Sequence, residues 1–213
     1  MHVSLRAMCR PVCGDLTEGM STQPRSFVQA GWFSQHSHSS LADRVAGPLL
    51  GASALCTGLM AGLFFAYDIS VMPGLAQLDD RAYAAAMQRF NAVIDGSALF
   101  GLVFLATLAC TAASAAVAFR RKRRAVAVPL VAAAACYLAV LVVTVAVNLP
   151  LNAELAALGD PATAKDLPAV IEDFKSVWVP VNAVRTVLCV LSLGALCSAL
   201  VRYGRATVHH RPA

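Results

Sequence analysis

The sequence predicts an all-α fold: a four-helix transmembrane bundle with a short interfacial helix between spans one and two and a disordered N-terminal tail. Composition is the first reason. The 213-residue chain is 58% hydrophobic and 14% charged, with a mean hydropathy of +0.65, too apolar for a soluble domain of this size. The second is length. Residues 47–67, 98–119, 125–149 and 178–201 each reach the roughly 20 apolar residues that a helix rising about 1.5 Å per residue needs to cross a bilayer. The third is charge. Arg120-Arg121-Lys122-Arg123-Arg124 joins spans two and three, and Arg202, Arg205 and Arg211 follow span four, whereas the other two connections are acidic. The positive-inside rule puts the basic ends and both termini in the cytoplasm, with the protein integral to the cell membrane. The pI of about 9.0 then reflects topology and attraction to an anionic lipid bilayer, and calls for no nucleic-acid partner.

Residues 1–44 mix Pro11, Pro24, Gly14, Gly19 and a Ser/His run with no apolar stretch long enough to span or to form a signal-peptide core, so they read as a disordered cytoplasmic tail. Met20 opens a plausible shorter chain. Cys9 and Cys13, with His36 and His38, are too loosely spaced for a zinc site, so no metal is expected there. Span one carries Gly47, Gly51, Gly58 and Gly62 at offsets of four, seven and four, which predicts a close-packing seam. Its exit reaches a Pro73-Gly74 breaker. Leu75, Leu78, Ala82, Ala86, Phe90 and Val93 then recur at helical spacing, with Asp79 or Asp80 as the cap and Gly96 as the hinge into span two. Asn91, near the end of this interfacial helix, reads either as a surface amide or as a group at the bundle mouth.

Thr107, Cys110, Thr111 and Ser114 in span two, and Cys136, Tyr137 and Thr144 in span three, read as packing residues. Asn148-Leu149-Pro150-Leu151-Asn152 differs. Two amides four residues apart share a helical face, and Pro150 between them removes a backbone donor, so a helix end is expected here. An acidic loop follows, with a short surface helix over residues 167–174. Span four opens with Trp178, Asn182 and Arg185, at offsets of four and seven on one stripe. An arginine within a span is costly in lipid and either snorkels to water or turns into the bundle. By parity, these residues and Asn148, Asn152, Asn91 and Asp68 meet at the extracytoplasmic end.

Ala61-Gly62-Leu63-Phe64-Phe65-Ala66 running to Val71-Met72-Pro73, Met87-Gln88-Arg89-Phe90-Asn91, Asn148-Leu149-Pro150-Leu151-Asn152, and Trp178 with Asn182, Arg185 and Thr186 together resemble the anthrone oxygenase-like membrane family, largely a domain of unknown function. The resemblance covers about residues 45–201. It implies a four-helix membrane protein and cofactor-free oxygenation of anthrones to anthraquinones.

That chemistry requires removal of an acidic C–H proton and stabilisation of a delocalised anion. Arg185 and the amides of Asn182, Asn152 and Asn148 form the candidate catalytic set, as preorganised donors; Trp178, as a stacking platform, and Asn91 form the substrate-binding set. No cofactor is expected: His2, His36, His38, His209 and His210 all lie in the tails, leaving neither a haem ligand nor an imidazole base in the bundle. Asp68 is either the base or an exposed loop carboxylate. The intramembrane Cys56, Cys110, Cys136, Cys189 and Cys197 read as packing residues. Two functions stand side by side: an oxygenase for a lipophilic aromatic small molecule, and a non-enzymatic membrane protein whose polar rim fixes helix packing or assembly. A transporter is third, since charge at one mouth offers no pathway across. Oligomeric state is not encoded in any of these features.

Overall fold

A computed structural model describes residues 41–208. The N-terminal tail with Met20, Cys9, Cys13, His36 and His38, and the terminal His209, His210 and Arg211, lie outside the described residues. Within them the chain forms helices α1 (Leu41–Ala66), α2 (Met72–Leu75), α3 (Asp80–Asp95), α4 (Ala98–Arg120), α5 (Arg124–Val143), α6 (Leu149–Ala157) and α7 (Leu167–Val208). Helix α1 thus already begins at Leu41, inside the stretch expected to be tail. Four helical stretches are long and apolar enough to cross a membrane: Val45–Leu75, Ala98–Arg120, Arg124–Ala157 and Leu167–Thr207. They form a square in which α4 and α7 each pack against both α1 and α5. Large apolar side chains such as Leu59, Leu102 and Val187 remain more than half exposed on the outside, as expected of a face turned to lipid.

The expected helix end at Pro150 is not an end. Backbone helix runs from Arg124 to Ala157, and the strain of the proline is absorbed by a π-helical turn over Thr144–Asn148. Pro73 is handled identically, by a π-helical turn over Tyr67–Val71 that carries α1 into α2. The cause is local. A proline ring clashes with the carbonyl four residues before it, and those residues, Ala146 and Ile69, both lie in the widened turn. The surface helix expected at 167–174 is likewise the first two turns of α7, which continues through Pro180.

The glycine seam is only half realised. Gly47 faces Tyr203 and Gly58 faces Leu193, both on α7, whereas a Cβ on Gly51 or Gly62 would meet nothing within 4 Å. Gly51 and Gly62, each four residues beyond a seam glycine and so about 40° further round the helix, are exposed. Of the cysteines, Cys189 is buried but Cys197 is exposed, so it is not a packing residue. Thr107 and Thr111 do pack, each bonding its hydroxyl back to the carbonyl four residues earlier at 2.7 Å.

Helix α3 is capped by Asp79, whose Oδ1 accepts from Arg81 and Ala82 N–H at 3.0 Å. Its buried face is Tyr83, Ala84, Met87 and Asn91, while Phe90 and Val93 stay exposed. Of the periodic apolar stripe, Leu75 joins the core and Ala86 packs against it, while the far end at Phe90 and Val93 turns outward. Burial pushes the Tyr83 hydroxyl up to about 12, which keeps it neutral beneath the Lys175 ammonium 4.5 Å from its ring. Gln88 donates to the carbonyls of Leu155 and Gly159 at 2.8 and 3.1 Å, pinning α3 to the end of α6. That end is shaped by Gly159 at φ +66°, the left-handed residue that terminates a helix at little cost.

Candidate functional site

A cleft opens between α1, α3, the start of α4, α5/α6 and α7. Its walls include all six residues singled out from sequence: Asn91, Asn148, Asn152, Trp178, Asn182 and Arg185. The π-helical turns help to bring them there. Tyr67 sits on the first and Asn148 on the second, and both are buried. Thr144, Asn148 and Asn152, four residues apart, line one side of the cleft; Asn182 and Arg185 on α7 line another.

The polar groups divide into two sets. One is bonded. Asn182 Nδ2 donates to the Phe64 carbonyl at 3.0 Å and to Asp68 Oδ1 at 2.6 Å, and Thr186 Oγ1 donates to Asp68 Oδ2 at 2.6 Å. Trp178 Nε1 donates to Asn152 Oδ1 at 3.0 Å. The Trp178 ring is 4% exposed, packed between Tyr67 (5.8 Å) and Phe174 (6.1 Å), and so serves as a wall of the cleft. Asp68 is not an exposed loop carboxylate: it lies on the helical continuation of α1, half-buried, with both oxygens engaged by α7.

The other set is not bonded. Asn148 is 2% exposed with neither amide atom hydrogen-bonded, and Asn91 Nδ2, Asn182 Oδ1 and Arg185 Nε are also buried without partners. Arg185 does not snorkel. It is 6% exposed, its guanidinium carbon 3.9 Å from the centre of the Phe64 ring, and among the described residues it makes no ion pair. An unmet buried polar atom costs about 1–3 kcal/mol, so several converging on one space signal a site built for something other than its own walls. Replacing Asn148 by Leu, similar in volume and without polar atoms, is therefore expected to leave stability unchanged or raise it by about 1 kcal/mol, read as the thermal midpoint in detergent.

Two groups escaped the sequence reading. Tyr67 lies on the first π-helical turn, which no spacing rule announces. Asp95, counted only as a loop acid, ends α3 one turn beyond Asn91 and lines the open edge of the cleft. Burial raises its carboxyl above the ordinary carboxylate range.

Four membrane-length helices around a cleft lined by a buried arginine and uncommitted amides define a polytopic helical membrane protein with a polar pocket between its helices. Residues 90–195 match the family model for anthrone oxygenase, which supports an anthrone oxygenase-like family for this chain. The match runs from the end of α3 into α7 and takes in Asn91, Asp95, Asn148, Asn152, Trp178, Asn182 and Arg185; Phe64, Tyr67 and Asp68 of the first span lie outside it. Searches of curated proteins and of solved structures returned no match.

Proposed function

We propose that the cleft binds a flat, lipophilic keto-aromatic of the anthrone or quinol type and promotes its oxygenation by dioxygen without a bound cofactor. The observation that supports this most directly is the set of buried, unpartnered donors at Arg185, Asn148 and Asn91 facing one space. In a protein whose polar residues served helix packing alone, these groups would be bonded to one another. The bonded pairs, Asn182 with Asp68 and Trp178 with Asn152, are the part that serves packing. Both termini in the cytoplasm would place the cleft at the extracytoplasmic end, open to lipophilic molecules from the bilayer.

In the proposed reaction a base takes a proton from the acidic ring CH₂, and the electron pair delocalises onto the ring oxygen, where Arg185 and the Asn148 amide stabilise the oxyanion. The carbanion gives electrons to dioxygen, and a C–O bond forms as a hydroperoxide. Loss of the second C–H proton breaks the O–O bond, leaving a ketone and water. Substrate and dioxygen thus become quinone and water, one oxygen atom going to each product. Phe64, Tyr67 and Phe100 supply the apolar walls.

Asp95 is assigned as the proton acceptor. Its surroundings carry the charged and titratable groups Arg185 from α7 and Tyr67 from the end of α1, with neutral Asn148 and Asn152 from α5/α6. A base acts when deprotonated, so turnover is expected to rise with pH through an apparent pKa above the usual value of about 3.9. Asp95→Asn should remove that acidic limb and lower turnover by about 10²–10⁴-fold. An unchanged pH profile in Asp95→Asn would assign the proton elsewhere. The reading as a whole is tested by giving detergent-purified protein an anthrone under oxygen: quinone formation above the protein-free rate supports it, and its absence sinks it.

A further inference from the structure

At the opposite, basic end of the bundle a second, narrow groove opens between α1, α4, α5 and α7. Its inner walls are alkyl: Ala46, Leu50, Ala118, Val126 and Leu130. Its mouth is cationic, lined by Arg121 and Arg123, the latter with its guanidinium carbon 5.6 Å from the centre of the Tyr203 ring. The turn between α4 and α5 is tight, with Lys122 at φ 55°, and α5 begins directly after it with no side chain capping its first turn. The helix thus presents N–H groups and the positive end of its dipole beside the two arginines. Deeper in the groove Ser114, 4% exposed, has a hydroxyl without a hydrogen-bond partner. Around this end the described sequence places Arg120, Lys122, Arg124, Arg202 and Arg205, and a single acid, Asp43, in the first turn of α1.

We propose that this groove is a binding site for one anionic phospholipid, its phosphate at Arg121, Arg123 and the start of α5 and its acyl chain along the alkyl walls. Cationic mouth and apolar interior match the two halves of an amphiphile. A free phosphate would satisfy the mouth and leave the interior uncovered. Basic pockets between membrane helices hold acidic headgroups by these same forces. The Ser114 hydroxyl gives the glycerol-ester region an additional donor. The site is separate from the cleft and independent of any reaction there.

Full-length protein, delipidated in neutral detergent, is titrated with phosphatidylglycerol, with phosphatidylcholine of the same acyl chains and with inorganic phosphate, and bound ligand is read by native mass spectrometry. Phosphatidylglycerol should bind at least tenfold more tightly than phosphatidylcholine. The double variant Arg121→Gln/Arg123→Gln should lose that preference, the Arg121→Lys/Arg123→Lys variant should keep most of it, and Arg124→Gln, exposed and outside the groove, should not alter it. Equal binding of the two lipids overturns the proposal, as does full retention in the double Gln variant. Loss in both the Gln and Lys variants would also overturn it, since charge would not be what is recognised. Inorganic phosphate binding as tightly as phosphatidylglycerol would mark a phosphate site with no role for the acyl chain.

Discussion

Arg185→Met is expected to leave the four helices assembled while quinone formation falls by about 10²–10³-fold, the usual consequence of removing one preorganised donor from a developing oxyanion. The two halves of this result come from one observation. Arg185 is buried, makes no ion pair among the described residues and has its Nε unpartnered, so the fold bears a desolvation cost that its contact with Phe64 offsets only in part. A Met of similar reach removes that cost and forfeits the contact with Phe64, worth about 0.5–2 kcal/mol. The balance is a thermal midpoint that is unchanged or raised, measured in detergent alongside turnover. A bundle that collapses in Arg185→Met would instead make the arginine a packing group.

Asn182→Leu should behave in the opposite way. Asn182 Nδ2 is the donor shared by the Phe64 carbonyl and the Asp68 carboxylate, and it joins the first and last spans across the bundle. Leucine removes both bonds and leaves a half-buried carboxylate with Thr186 as its sole remaining donor among the described residues. A loss of about 2–4 kcal/mol is expected, seen as a lower midpoint and a smaller monodisperse fraction. Asp68→Asn/Asn182→Leu should recover part of it, because the uncompensated charge is then gone. If Asn182→Leu is as stable as the parent, the link between α1 and α7 is not what holds this end together.

Much of this was legible in the chain because membrane helices obey coarse rules. Apolar length fixed the spans, arginine placement separated the two ends, and the offsets among Trp178, Asn182 and Arg185 put them on one stripe. The parity of four spans then brought them together with Asn148 and Asn152, and the cleft contains all five with Asn91. What the pattern could not show were features set by backbone detail. A proline after Asn148 reads as a helix stop, but a helix held by neighbours on two sides absorbs it with a wider turn. The repeat through Phe90 and Val93 reads as an interfacial helix, but periodicity reports only that a helix has an apolar side and not which of its residues are covered, and here those two are exposed. Asp95 looked like one loop acid among several because its position at the cleft depends on where α3 ends and how α3 docks onto α6 through Gln88.

What the polar cleft is for is decided most directly by one comparison: oxygen consumption and quinone appearance with an anthrone substrate, measured for the parent protein and Arg185→Met at equal folded concentration. The expected result is turnover above the protein-free rate by the parent and background rate by a variant that elutes and melts like it. Equal turnover by the two proteins, or none by the parent, would contradict a cleft whose uncommitted donors serve an oxyanion.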